Sequence, residues 1–213
     1  MISTAALIGI SIVALGIVLT PGPNMIYLVS RSITQGRRAG LISLLGVAAG
    51  FFVYLAAAAL GLAAVFVAVP AAYTALKIAG GLYLLWLAWQ AVRPGGVSAF
   101  SPKEGMPIDR PRRLFTMGLV TNLLNPKIAV LYVTLLPQFI DPDRGAVVAQ
   151  SLMLGGVQII IALTVNALIV IFAGALATFL STRPTWLRAQ RYLMGAVLAA
   201  LAARLLTDRS VAP

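Results

Sequence analysis

Thr20-Pro21-Gly22-Pro23-Asn24 interrupts an apolar run that extends from about Ala5 to Ser30. Proline has no N–H and its ring clashes with the preceding turn, so a helix cannot pass through two of them. Gly22 between the prolines loosens the backbone further. The run is long enough to cross a hydrocarbon core, which takes about 20 helical residues. Broken backbone at membrane depth is tolerated only where it is buried in protein or lines a water-filled cavity. A half-helix restarting near Asn24 would present free N–H groups and the positive end of its dipole, which suit a carboxylate. The alternatives are a plain kink or a helix end at the interface.

The rest of the chain supports a membrane setting. Of 213 residues, 61% are hydrophobic and only 10% charged; a soluble domain carries about 25% charged residues. Mean hydropathy is +0.99. Further apolar stretches run from about Gly40 to Phe66, Tyr73 to Val92, Leu114 to Ile140, Ala146 to Leu180 and Leu187 to Leu206. The reading is an all-α integral membrane protein of six transmembrane helices, a single membrane domain over 1–213. The first run lacks a basic n-region and a convincing cleavage site, so it is expected to be a retained span.

The fourth run is also interrupted, at Asn125-Pro126-Lys127, with Asn122 just before. Lys127 is the one basic residue well inside a span, where a charge costs about 2.5–3.5 kcal/mol on insertion scales. It is expected either to face a polar cavity, where it could pair with a substrate carboxylate, or to snorkel from a span that begins near it. Two interrupted spans in corresponding places of two halves are the best sequence pointer to a transporter site. The halves are 1–93 and 114–213, joined by a Gly- and Pro-rich polar linker over 94–113 that is expected to be mobile. Three helices per half make the repeat an inverted one, with spans 1 and 4 equivalent. Weak likenesses support it, among them Lys77-x-x-Gly80-Gly81 against Arg191-x-x-x-Gly195.

The net charge of +11 does not indicate nucleic acid, because the basic residues sit in short links between apolar runs. With the N-terminus outside, eleven basic residues fall in inner loops (around Arg31 to Arg38, Arg93 to Arg113 and Arg183 to Arg191) and four, Lys77, Arg144, Arg204 and Arg209, fall outside. That asymmetry places both termini in the periplasm and the linker in the cytoplasm. Trp89 and Trp186 then lie near the inner interface and Tyr73 near the outer one.

Absences narrow the chemistry. The chain has no His and no Cys, and its five acids, Glu104, Asp109, Asp141, Asp143 and Asp208, all fall in loops or the tail. No metal site, catalytic constellation or cofactor is expected, which leaves little for a membrane-embedded enzyme. A proton-coupled transporter usually carries an intramembrane acid or His; here the candidates are Lys127, Asp141 or the substrate itself. Ser43, Asn122, Thr134, Gln158, Thr164 and Asn166 are expected to face inward, lining a cavity or joining helices. Gln158 is favoured for the cavity because it follows Gly155-Gly156, and Gly46-x-x-x-Gly50 is expected to pack helices closely. A non-transporting scaffold would instead show tight apolar packing at both breaks.

These motifs together resemble the lysine exporter (LysE/RhtB) family of bacterial inner-membrane amino-acid exporters. The carrying residues are Thr20-Pro21-Gly22-Pro23-Asn24, Gly36-x-x-x-Gly40, Gly46-x-x-x-Gly50, Lys77-x-x-Gly80-Gly81-x-Tyr83-Leu84, Gly118-x-x-x-Asn122-x-x-Asn125-Pro126-Lys127 and Pro137-Gln138-Phe139. The resemblance spans roughly Leu15 to Leu206. It implies six membrane helices and export of amino acids or close derivatives driven by the proton gradient. It carries the motif role onto Pro21, Gly22, Pro23 and Asn24 and onto Asn125, Pro126 and Lys127. The expected partners are an amino acid, protons and the bilayer; the oligomeric state is open, a homodimer included. The missing intramembrane acid favours a neutral amino acid over a cationic one.

Overall fold

The computed structural model describes residues 2–62, 70–93, 108–181 and 184–207. The span Gly40–Phe66 runs past these limits at its end, and most of the linker lies outside them. Among the described residues the chain is all-helical. Its α-helices are α1 (Thr4–Leu19), α2 (Pro23–Gln35), α3 (Arg37–Ala57), α4 (Pro70–Val92), α5 (Pro111–Leu123), α6 (Pro126–Val130), α7 (Val147–Ser181) and α8 (Pro184–Thr207). A π-helical turn, Ala58–Leu62, extends α3, and another, Leu131–Leu135, extends α6 into a 3₁₀ turn at Leu136–Phe139.

The helix boundaries follow from proline. A residue before proline is pushed out of the helical region, and Thr20, Asn125 and Arg110 all adopt extended backbone there. Proline itself is well placed at the first helical position, where an N–H would be orphaned anyway. Thus α2, α5 and α6 each begin on a proline.

Among the described residues two helices are long and apolar enough to cross a membrane alone, Arg37–Leu60 and Val147–Ala175. Two bent pairs bring the count to four if each is one span: Thr4–Leu19 with Pro23–Gln35, bent by 53°, and Pro111–Leu123 with Pro126–Phe139, bent by 49°. In α4 and α8 only the shorter stretches Ile78–Gln90 and Gly195–Thr207 are apolar helix by the same measure.

The bundle has polar groups inside and apolar groups outside. Leu45, Phe52, Ile160 and Phe172 are each more than half exposed, whereas Ser43, Asn122, Asn125, Lys127 and Gln158 are buried. In water that surface would be an aggregation liability; in lipid it is the ordinary outer face. Helix α3 packs closely on α5, α4 pairs with α8, and α7 runs along α1, α2 and α3.

The α3–α5 seam explains Gly46-x-x-x-Gly50. A Cβ on Gly46 would collide with the Phe115 carbonyl, and one on Gly118 with the Ser43 carbonyl. A Cβ on Gly50 would stand 2.7 Å from the Asn122 side chain. These glycines let two backbones touch, as small residues do between membrane helices. Gly118→Ala is therefore expected to force α3 and α5 apart at a cost of about 1–3 kcal/mol. Thermal unfolding of the detergent-solubilised protein should show it as a lowered midpoint; an unchanged midpoint would refute the close-packing role.

Candidate functional site

The two breaks are built alike. Gly22 and Asn125 occupy the N-cap positions of α2 and α6, Pro23 and Pro126 the first helical positions, and Asn24 and Lys127 the second. They differ in how the new helix is capped. At α6 the Asn125 Oδ1 accepts from Lys127 N at 3.1 Å, the usual N-cap bond. At α2 the cap is a glycine with no side chain to offer. The first N–H groups of α2 therefore have no cap, since the first backbone bond back to Gly22 comes from Ile26, at 2.9 Å.

Lys127 joins the two breaks. Its Nζ donates to Ile17 O at 3.0 Å and to Thr20 O at 2.7 Å, the last carbonyls of α1. An ammonium at a helix C-terminus meets both the orphan carbonyls and the negative end of the dipole. This contact joins residues more than a hundred positions apart in sequence and is how the structure satisfies a buried charge. The side chain passes so close to Gly22 that a Cβ there would stand 2.6 Å from Lys127 Cε and 2.7 Å from Nζ. Of the three ammonium donors, two are used by α1.

Between the breaks lies a cavity of about 360 Å³ of atom-free space, its mouth included. Thr20, Gly22, Asn24, Asn125, Lys127 and Gln158 line it, and so does Asn166. Lys127 is the sole charged lining residue among the described residues. The Asn24 side chain is 7% exposed and its Oδ1 has no partner, a state that buried polar atoms rarely keep.

Most of the expected site residues thus converge, with four exceptions. Pro21, Pro23 and Pro126 shape the backbone and do not line the cavity. Asn122 lies outside it, fully buried against Gly50, with both amide atoms unpaired. Ser43 likewise serves packing, donating to the Tyr27 hydroxyl at 3.1 Å.

Two features were not read from the sequence. Tyr132, on the π-helical turn after α6, donates to Gln158 Oε1 at 2.7 Å and stacks on Tyr54. Tyr54 in turn donates to Leu123 O at 2.8 Å, at the end of α5. Each first half-helix, α1 and α5, therefore has a terminal carbonyl held by a side chain from elsewhere. The second feature is Asp109, a loop acid by sequence. Its carboxylate is buried and accepts from Arg31, from Gln35 Nε2 at 2.9 Å and from Arg113 Nε at 3.1 Å. That clasp ties the end of α2 to the start of α5. A run of Pro, Asp and Arg reads as solvated loop, and nothing local to Asp109 signals its partners.

A cavity where two broken helices meet, with four amides and one lysine set among apolar side chains and inside an apolar-faced bundle, has the build of a membrane translocator. The chain belongs to the LysE type translocator family, whose model matches residues 15–209. It is a multi-pass membrane protein. It is 34% identical over 116 residues to the uncharacterized membrane protein YahN of Escherichia coli K12, covering 54% of this chain and 52% of that one. It is 28% identical over 131 residues to the threonine efflux protein of the same strain, covering 60% and 63%. Against the homoserine/homoserine lactone efflux protein of Salmonella typhimurium it is 33% identical over 147 residues, covering 69% and 70%. The chain spans about half to two thirds of the length of the first two of these relatives. No solved structure matches.

Proposed function

We propose that the protein is a secondary exporter of amino acids in the bacterial inner membrane. The observation that carries this is the Lys127 bridge: a buried ammonium with one donor uncommitted, beside the uncapped N-terminus of α2 and on a cavity that also carries four amide side chains. Those two features together suit a carboxylate. The named activities of the threonine and homoserine/homoserine lactone efflux relatives support the amino-acid class.

In this reading α4 and α8 complete six spans, and the two halves form an inverted repeat. The matched cap–proline–polar sequences at both breaks, with bends of 53° and 49°, support the repeat. Rocking of the halves would expose the cavity to either side in turn. Both termini are periplasmic and residues 94–113 cytoplasmic, on the loop-charge asymmetry. Export is driven by the proton gradient, with Lys127 the titratable group placed to couple to it.

Purified protein in liposomes, loaded with a panel of amino acids and given a pH gradient, should release one or a few of them faster than protein-free vesicles. Movement should stop when the gradient is collapsed. If no amino acid moves, the exporter reading fails; if movement ignores the gradient, proton coupling fails. Reporter fusions at Gly96 should read cytoplasmic, and a periplasmic signal would overturn the orientation.

A further inference from the structure

Asn24, Tyr27, Arg31 and Gln35 recur at steps of three or four residues along α2, so they share one face. That face leads from the cavity, which Asn24 lines, to the end of the helix. It is held to the start of α5 at two levels. Nearer the cavity, the Tyr27 hydroxyl donates to Leu114 O at 2.8 Å and accepts from Ser43 at 3.1 Å. At the helix end, Arg31 donates to the Asp109 carboxylate. Gln35 also donates to that carboxylate and accepts from Asp109 N, each at 2.9 Å. The Arg31 guanidinium lies over the Tyr27 ring, 5.5 Å from its centroid, and joins the two levels. The opposite end of the bundle carries a matching contact. Ala14 and Ile17 of α1 line the cavity, and Gly9 lies beyond them toward the start of that helix. The Phe139 ring, at the end of the 3₁₀ turn after α6, rests so closely on Gly9 that a Cβ there would overlap it. In the inverted repeat proposed above, α5 and α6 correspond to α1 and α2. The same correspondence carries the α2–α5 contact onto this one.

We propose that the Asp109 clasp and the seat of Phe139 on Gly9 are the two gates of the transport path, one charged and one apolar, at opposite faces of the membrane. The inference rests on the exporter reading and deepens it by naming the side chains that open. Loop charges put the Asp109 gate on the cytoplasmic side. A buried ion pair adds little net stability, because desolvation offsets the attraction. At a membrane face both partners can return to water. The clasp therefore has two satisfied states, closed and hydrated, while a half-open one strands a buried charge. Interfaces that break and remake salt bridges switch between discrete arrangements in this way. Phe139 needs no polar partner, only the seat that a residue without a side chain leaves. Neither Asp109 nor Phe139 lines the cavity, so both act on access and not on binding.

The chain has no cysteine, so Ala162→Cys on the cavity wall supplies a single thiol. Its labelling by a membrane-impermeant maleimide reports access from either face. In inside-out vesicles, adding Asp109→Asn should raise the labelling rate at least about fivefold, and in spheroplasts adding Phe139→Ala should do the same. Neither should change labelling from the opposite face. Gln35→Ala removes two bonds of the clasp and carries the test if Asp109→Asn does not insert. A merely structural role would loosen the bundle and raise labelling from both faces, which would overturn the gates; so would unchanged labelling in the variants of either end. The assay needs no substrate. One-sided access in a protein that moves no amino acid would keep the gates and defeat the exporter reading.

Discussion

Gly22→Ala is expected to reduce transport at least tenfold while leaving a folded, inserted protein. The backbone does not require glycine here. Gly22 has φ −168 and ψ −178, extended geometry open to any residue. What it lacks is room, since a Cβ would stand 2.6 Å from Lys127 Cε. The obstacle is the far end of a flexible side chain, so the fold can yield by moving it. Moving it, however, means pulling Nζ off Ile17 O and Thr20 O. Each neutral carbonyl left buried without a donor costs about 1–3 kcal/mol, partly offset if water enters the cavity. The damage should therefore concentrate at the site: a modest fall in thermal stability and a large fall in flux. Gly156→Ala is the control, because a Cβ there meets nothing within 4 Å, and alanine favours a helix over glycine by about 1 kcal/mol. It should insert and transport like wild type. If Gly22→Ala also transported like wild type, the close approach of Lys127 to the first break would have no bearing on function.

Gly22 also shows which parts of the molecule were legible in its sequence. Proline acts locally, through its own φ and through the residue before it. Both breaks, and the starts of α2 and α6, could therefore be placed from the sequence, whereas α5 begins at Pro111, inside the expected linker. Apolar runs set the helices to within a few residues for the same reason. The partners of the polar groups are another matter. Lys127 reaches Thr20, 107 positions away, and Arg31 reaches Asp109, 78 positions away. Such pairings depend on how helices stack, which no local pattern encodes. Asn122 shows the cost of reading proximity from sequence. It stands three residues from the second break, yet the helical turn carries it to the opposite side, onto Gly50. Tyr132 was invisible because one tyrosine in an apolar run looks the same whether it faces lipid or a glutamine.

Lys127→Met is expected to abolish transport and to loosen the end of α1 as well. Methionine nearly matches the length of lysine and fills the same apolar channel past Gly22, so the variant removes the ammonium with little change in shape. Two charge-assisted bonds are lost, each of the class worth about 1.5–3 kcal/mol, but so is the penalty of burying a charge. The net stability change should be small, and its sign follows whichever effect is larger. The functional change has no such compensation, because a substrate carboxylate would then meet only the α2 N-terminus. Lys127→Arg separates charge from fit. It retains the positive charge, but its planar group needs more space than Gly22 leaves, so it should insert without restoring flux. Flux measurements on the two variants in liposomes, with melting curves beside them, distinguish the roles. Full transport by Lys127→Met would make the lysine a helix cap and nothing more. Loss in Met with recovery in Arg would make charge sufficient. Loss in both is the result the geometry calls for, since the ammonium must be charged and also narrow enough to lie between α1 and Gly22.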